Sequence, residues 1–341
     1  FDQPMPLRCS YLGSVFRYEE PQAGRKREFT QAGVELIGVD TAAADAEAVA
    51  LGISALEALP LPEFQVNLGQ MALFHALTVG LSSASVAAIR DAIDHKNAIR
   101  LEAALDSAGV AGHHRAVLRQ LPDLVGGPEV LERARTLCER LDRADVSLSA
   151  VDRLARVYQL LEVHGVGDRV ILDLGEVRGM DYYTGITFRG VAPGLGWPVL
   201  GGGRYDDLIA RFGRPMAAVG FGLGIERALL VQARQGGRPP STAPHLLAHG
   251  CNHASCMALV QRLRARGLRV EIDLLDLDAA ALVEGAQRRG ISRTLRCGDG
   301  GWYLDTGEGE RAVSESTFLE ESEGWGSLTR VGATSSSPKS Q

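Results

Sequence analysis

Apolar runs separated by polar loops set the first pattern along the chain. Residues 7–16 and 32–37 are rich in Leu, Val and aromatic side chains and flank a charged stretch, 19–27, which predicts two strands joined by a functional loop. From 41 to 59, Ala, Val and Leu recur at helical spacing behind a cap candidate at Asp40 or Thr41, and 63–68 reads as a strand. The block 85–164 reads as helical almost throughout, punctuated by Pro122, Gly126, Gly127 and Pro128. Its last helix carries Val151, Leu154, Tyr158 and Leu161 on one face, which is core spacing. Strand-like patterning returns at 169–174, 182–189 and 217–222, and a helix is predicted to begin near Gly224.

Residues 235–244, QGGRPPSTAP, have linker composition and divide a core of 1–234 from a smaller domain at 245–324. Beyond the linker the pattern is strand 245–248, helix 254–266, strand 269–274, helix 278–289, then strands near Leu295 and Tyr303. That alternation predicts a small α/β domain. Residues 325–341, ending in Ser, Pro and Lys, are expected to be disordered. The chain opens on Phe1 rather than Met with patterned sequence following at once, so an N-terminal portion is expected to be missing.

Composition adds limits on function. With 341 residues, 45% hydrophobic and 23% charged, the chain suits one large domain plus a small one. A formal charge of -6 offers no general attraction for a nucleic-acid polyanion. Five cysteines, at 9, 138, 251, 256 and 297, form no CxxC pair and are expected to be reduced thiols of a cytoplasmic protein. No secretory segment and no apolar run of membrane-spanning length is visible, so a soluble protein is expected.

Four segments carry chemistry. In FRYEEPQAGRKREFTQAGVELIG, 16–38, the cations Arg17, Arg25, Lys26 and Arg27 could surround a phosphate or carboxylate, with Glu19 and Glu35 able to accept from an ammonium group. On residue types alone this loop reads equally as a solvated hairpin. RGMDYYTGITF, 178–188, reads by itself as a core hairpin, with Tyr182 and Tyr183 on opposite sides by the period of two. GGGRYDDL, 201–208, has neither a Walker lysine nor Rossmann spacing and reads as a tight turn leading to a helix. In AAVGFGLGIERALL, 217–230, Glu226 and Arg227 read as an ordinary pair at a helix start. His249, Cys251, His253 and Cys256 crowd one loop, but their spacing fits no standard zinc pattern and no metal is expected.

The first of these segments resembles motif 2 of class II aminoacyl-tRNA synthetases in its histidyl form, and 178–188 resembles the histidine-specific motif of the same enzymes. GGGRYDDL is similar to their glycine-rich string, and 217–230 resembles motif 3. On these segments the chain is identified as a member of the histidyl-tRNA synthetase-like family. The resemblance implies an α/β (α+β) fold: a class II synthetase-like antiparallel sheet core with a helical insertion at about 85–165 and a small C-terminal domain similar to an anticodon-binding domain. It implies a histidine pocket made by Arg17, Gln31, Glu35, Arg178, Tyr182 and Tyr183. A phosphate-binding remnant would comprise Arg25, Arg27 and Arg227. An imidazole needs a flat wall and a few polar partners, and tyrosine offers both.

Two members of different class fit these motifs, an ATP-dependent histidine-tRNA ligase and the non-catalytic regulatory subunits of ATP phosphoribosyltransferase. The arginines Arg17, Arg178 and Arg227 suit the ligase. Glu20, by contrast, stands where the ligase carries an arginine near the tRNA acceptor end, which is unfavourable beside phosphates. FQVNLGQMALFHALTVGL, 64–81, and APGLGWPVLGGGRYDDLIARFGRP, 192–215, resemble the regulatory form. Residues 246–324 hold 9 Arg against 13 Asp plus Glu, whereas a nucleic-acid reader gathers positive charge on one face. The regulatory reading implies no catalytic residues and no cofactor. Its expected partners are a short-form catalytic subunit of ATP phosphoribosyltransferase and L-histidine as effector, in a hetero-oligomer built on a homodimer, with neither tRNA nor membrane bound. Motif 1, which supplies much of the family's dimer interface, is not visible.

Overall fold

A computed structural model describes residues 4–18, 26–59, 61, 63–141, 144–177, 182–236, 243–249, 254–275, 277–298 and 301–325. The chain divides into two compact units, Phe1–Pro239 and Pro240–Gln341. Among the described residues no helix is long and apolar enough to cross a membrane.

The first unit is built on β1 (Leu7–Phe16), β2 (Glu28–Ile37), β3 (Gln65–Gln70), β4 (Val125–Gly126), β5 (Val170–Asp173), β6 (Ile186–Val191), β7 (Leu200–Arg204) and β8 (Ala218–Gly224), in the sheet order β1-β2-β8-β7-β6-β3-β5-β4. Neighbours are antiparallel except β3 and β5. Helix α1 (Ala42–Glu57) starts at the expected cap: the Thr41 side chain accepts from the Ala44 amide. It packs across β2, β6, β7 and β8, and its buried Val49, Ile53 and Leu56 fill one face of the sheet. The helical stretch comprises α2 (Met71–Leu77), α3 (Ser83–Asp94), α4 (Ala98–Ser107), α5 (Gly112–Gln120), α6 (Glu129–Cys138) and α7 (Ala144–Val163). Helix α2 falls in the 64–81 segment, and α3 opens at Ser83, near the start expected for the helical block. Val151, Leu154, Tyr158 and Leu161 of α7 are buried, as the helical spacing predicts, and α7 packs on α1 and α2. Helix α8 (Ile225–Arg234) follows β8 directly.

One local expectation is overturned. The glycines of GGGRYDDL form the central strand β7, paired to β6 and β8, instead of a tight turn. A Cβ at Gly202 would come closer than 3 Å to the Gly220 carbonyl, Phe188 and Phe221, so the glycines serve close packing inside a sheet.

The second unit has β9 (Leu246–Ala248), α9 (Ala254–Ala265), β10 (Val270–Ile272), α10 (Ala279–Arg288), β11 (Thr294–Gly298), β12 (Gly301–Asp305), β13 (Glu310–Val313) and α11 (Glu315–Glu321). Its sheet order is β10-β9-β11-β12-β13, parallel around β9 and antiparallel beyond β11. The sequence pattern anticipates the α/β part but not β13 and α11. Trp325 packs edge-on against buried Phe318, with ring centroids 5.5 Å apart, and Arg293 lies over its indole at 4.6 Å. Residues 326–341 lie outside the described residues.

Candidate functional site

The period-two alternation of β8 builds the site. Val219, Phe221 and Leu223 point into the core, and Gly220, Gly222 and Gly224 occupy the opposite face. The same face of β7 carries Gly201 and Gly203, and that of β2 carries Gln31, Gly33 and Glu35. Glycine is required here because Cβ atoms would intrude on the side chains that line the cleft. At Gly220 one would press into the Glu35 carboxylate, at Gly222 into the Gln31 amide, at Gly33 into the Tyr11 ring, and at Gly203 into the Tyr183 ring, each closer than 3 Å. The result is a side-chain-free floor under a cleft of about 760 Å³.

Arg17, Gln31, Glu35, Tyr182, Tyr183 and Arg227 all line this cleft, although more than a hundred residues separate the first three from the tyrosines. Arg178 and Arg25 lie outside the described residues. Arg27 is not brought to the cleft. It sits exposed at the base of the hairpin, where its carbonyl accepts from the Arg17 amide at 2.8 Å, and its guanidinium lies over the Tyr18 ring at 5.6 Å.

Glu35 is half-buried and accepts a short hydrogen bond from the Tyr205 hydroxyl. Burial raises its pKa above the ordinary carboxyl value, and the Tyr205 donor works against that rise. Tyr182 stands edge-on to Tyr183 at 5.0 Å and to Tyr205 at 5.8 Å, so three phenol rings cluster beside the carboxylate. Burial drives the Tyr183 and Tyr205 hydroxyls upward in pKa, keeping them protonated donors, and the bond to Glu35 adds to this for Tyr205. Gln31 donates from Nε2 to the Tyr11 hydroxyl at 2.5 Å. A partly shielded carboxylate among neutral rings suits a small planar group that carries N–H donors or positive charge.

Towards α8, Arg227 donates from Nη1 to the Pro198 carbonyl at 2.9 Å, which ties it to the loop that sets Trp197 in the cleft wall. On the other side α3 contributes Ala87, Arg90, Asp91 and Asp94 to the wall. Sequence reasoning missed Tyr205, Tyr11, Trp197 and the α3 wall. For Tyr205 a signal existed, because it shares strand parity with Gly201 and Gly203. The α3 wall has no local signal, since it depends on how the helices fold back over the sheet.

In the second unit, Cys251 and His253 of the metal-capable loop lie outside the described residues. Cys256 is buried and disulfide-bonded, which corrects the expectation of a reduced thiol there and removes it as a thiolate ligand. Cys9 and Cys138 carry free thiols, and Cys297 forms no disulfide.

Comparison with known proteins places this geometry in context. The family model described as histidyl-tRNA synthetase matches residues 1–228. The ATP phosphoribosyltransferase regulatory subunit of Desulforamulus reducens is 38% identical over 294 residues, covering 85% of this chain and 72% of the relative. That of Moorella thermoacetica is 43% identical over 271 residues, covering 79% and 68%. A crystal structure from Bacillus halodurans C, described as an ATP phosphoribosyltransferase regulatory subunit/histidyl-tRNA synthetase, superimposes with a TM-score of 0.68 at 32% identity, covering 83% of this chain and 73% of that one.

Proposed function

The chain belongs to the histidyl-tRNA synthetase family, among its ATP phosphoribosyltransferase regulatory subunits, and on that premise we propose that it is a non-catalytic histidine sensor. It assembles with a catalytic phosphoribosyltransferase subunit and conveys feedback by histidine to the first step of histidine biosynthesis. The observation that carries the sensing role is Glu35, hydrogen-bonded to Tyr205 and enclosed by Tyr182 and Tyr183 above a glycine floor. In this reading Glu35 and the phenols take the imidazole, Gln31 the neighbouring polar group, and Arg17 with Arg178 the carboxylate. Feedback requires that histidine bind one state of the complex better than the other, because equal affinity shifts nothing.

The test is reconstitution with a short-form catalytic subunit, titrating histidine against formation of phosphoribosyl-ATP. Activity that depends on this chain and falls with histidine supports the reading. Activity insensitive to histidine removes the sensor, and activity independent of the chain removes the regulatory role altogether.

Homodimerisation fits β1, an edge strand of the sheet that exposes Leu12 and Phe16. Sedimentation of the isolated chain as a monomer would count against it.

A second reading, a histidine-tRNA ligase, is favoured by Arg17 and Arg227 sharing the cleft with Glu35. Glu20 and the acidic 246–324 region speak against tRNA binding. Efficient charging of tRNA with histidine at catalytic protein levels would decide for the ligase.

A further inference from the structure

Beneath the glycine floor, on the face turned away from the cleft, the Arg204 side chain enters the core with only 2% exposure and meets Asp45 of α1, which is fully buried. Arg204 donates from Nε to Asp45 Oδ1 at 2.7 Å, and from Nη1 to Asp206 Oδ1 at 2.8 Å and the Val39 carbonyl at 3.3 Å. The second oxygen of Asp45 accepts from Arg153 of α7 at 2.8 Å, and Arg153 also pairs with Asp40 at 2.7 Å. An apolar group of similar size commonly stabilises a core as well as a buried ion pair does, so stability alone does not account for this network. What charged hydrogen bonds add is direction.

That direction is passed to the site through the backbone. The Thr184 amide donates to the Arg204 carbonyl at 2.8 Å, and the Asp206 amide to the Thr184 hydroxyl at 3.1 Å. Asp206 Oδ1 accepts from the Ala218 amide at 3.0 Å, and the Tyr205 amide donates to the Ala218 carbonyl at 2.8 Å. Tyr205 is thus held between two anchored residues, and Tyr183 directly precedes the third. The groups facing Glu35 are Tyr205, Tyr182 and Tyr183, with Tyr11 and Arg17 from the β1 side and Gln31 on its own strand. Of these, Tyr205 donates its hydroxyl to the carboxylate.

Building on the sensing role of the cleft, we propose that Asp45, bridged to Arg153, is a positioning residue. Through Arg204 it sets the height of Tyr205, and so the bond that readies Glu35 for a ligand. Neither Asp45 nor Arg153 lines the cleft. The same chain of bonds joins the tyrosine cluster to α7, so a change at either end biases the other reciprocally.

The test uses the full chain without ligand first. Glu35 is followed through its carboxyl titration by carbon NMR, its signal identified by loss in Glu35→Gln. Tyr205→Phe removes the donor that favours ionised Glu35 and should move its pKa further up. Asp45→Asn and Arg153→Gln should move it in the same direction, and Asp45→Asn combined with Tyr205→Phe should do no more than Tyr205→Phe alone. Calorimetric titration with histidine, well below every unfolding midpoint, should give about a tenfold loss of affinity for each variant, again without additivity.

A lowered midpoint with an unmoved Glu35 titration would reduce the network to a structural role and overturn the proposal, as would additive effects. If Asp45→Asn does not fold, Arg153→Gln carries the same test, since that side chain is partly exposed at 26%. The titration needs no ligand. A wild type that does not bind histidine therefore refutes the sensing role and leaves the positioning role to be judged separately.

Discussion

Glu35 and Asp45 are both carboxylates withdrawn from bulk water in one folding unit, yet they sit on opposite faces of the eight-stranded sheet and keep different company. Glu35 meets a phenol and aromatic edges over bare glycine backbone. Asp45 meets two guanidinium groups in a fully enclosed core. The first carboxylate takes its hydrogen bond from a phenol and has open volume above it that a ligand can enter. The second is satisfied on both oxygens and has nothing left to offer. Burial of an acid therefore does not by itself mark a site, and the character of its partners separates recognition from scaffolding.

The sharpest way to break this comparison is to truncate the scaffold acid. Asp45→Ala leaves Arg204 buried without its main partner and should cost about 3 to 5 kcal/mol in urea denaturation. A loss below about 1 kcal/mol would mean that the core face is less committed than its geometry implies. On the cleft face, Gly220→Val forces methyl groups into the space of the Glu35 carboxylate and against the Val34 carbonyl. It should cost about 2 to 3 kcal/mol in stability and abolish detectable histidine binding by calorimetry. Retained binding would show that the glycine floor is not the basis of the cleft.

Glu35→Gln should lower histidine affinity about tenfold or more and give a feedback-resistant complex that still makes phosphoribosyl-ATP. Identical inhibition curves for wild type and variant would locate the effector elsewhere.

The smallest effect concerns pH. Because the folded pKa of Glu35 is raised by burial, the native state holds this proton more tightly than the unfolded chain. Its contribution to stability is thus present at low pH and is lost as pH rises from the ordinary carboxyl value through the raised one. Glu35→Gln should consequently be slightly more stable than wild type at neutral pH, with the gain vanishing in acid. Thermal midpoints measured across that range that run parallel for the two proteins would contradict the assignment of Glu35 as a desolvated acid.

Much of the architecture was legible because its signals are local. The run of β2 and the cap at Thr41 announce themselves in residue type and period, and so does the apolar stripe of α7. The motif resemblance also led to six side chains that share the cleft. Arg27, grouped by the resemblance with Arg25 and Arg227 as a phosphate remnant, is not in the cleft lining itself but lies over Tyr18, which is. The glycine string misled as well. Glycine signals turns locally, and only its pairing with β6 and β8 reveals that absent side chains are the useful property.

The sequence by itself determined what depends on neighbours along the chain: which residues alternate, where helices begin, and which motif segments mark the family. The Val-Gly-Phe-Gly-Leu-Gly alternation of β8 already separates a packed face from a bare one, because strand side chains change sides at every residue. Tertiary structure alone decided which bare face becomes a cleft, that Tyr205 reaches Glu35 across 170 positions, and that Asp45 receives arginines from β7 and α7. Those contacts depend on strand order and on helices folding across the sheet, and no periodicity within a segment encodes the distance between two segments remote in sequence.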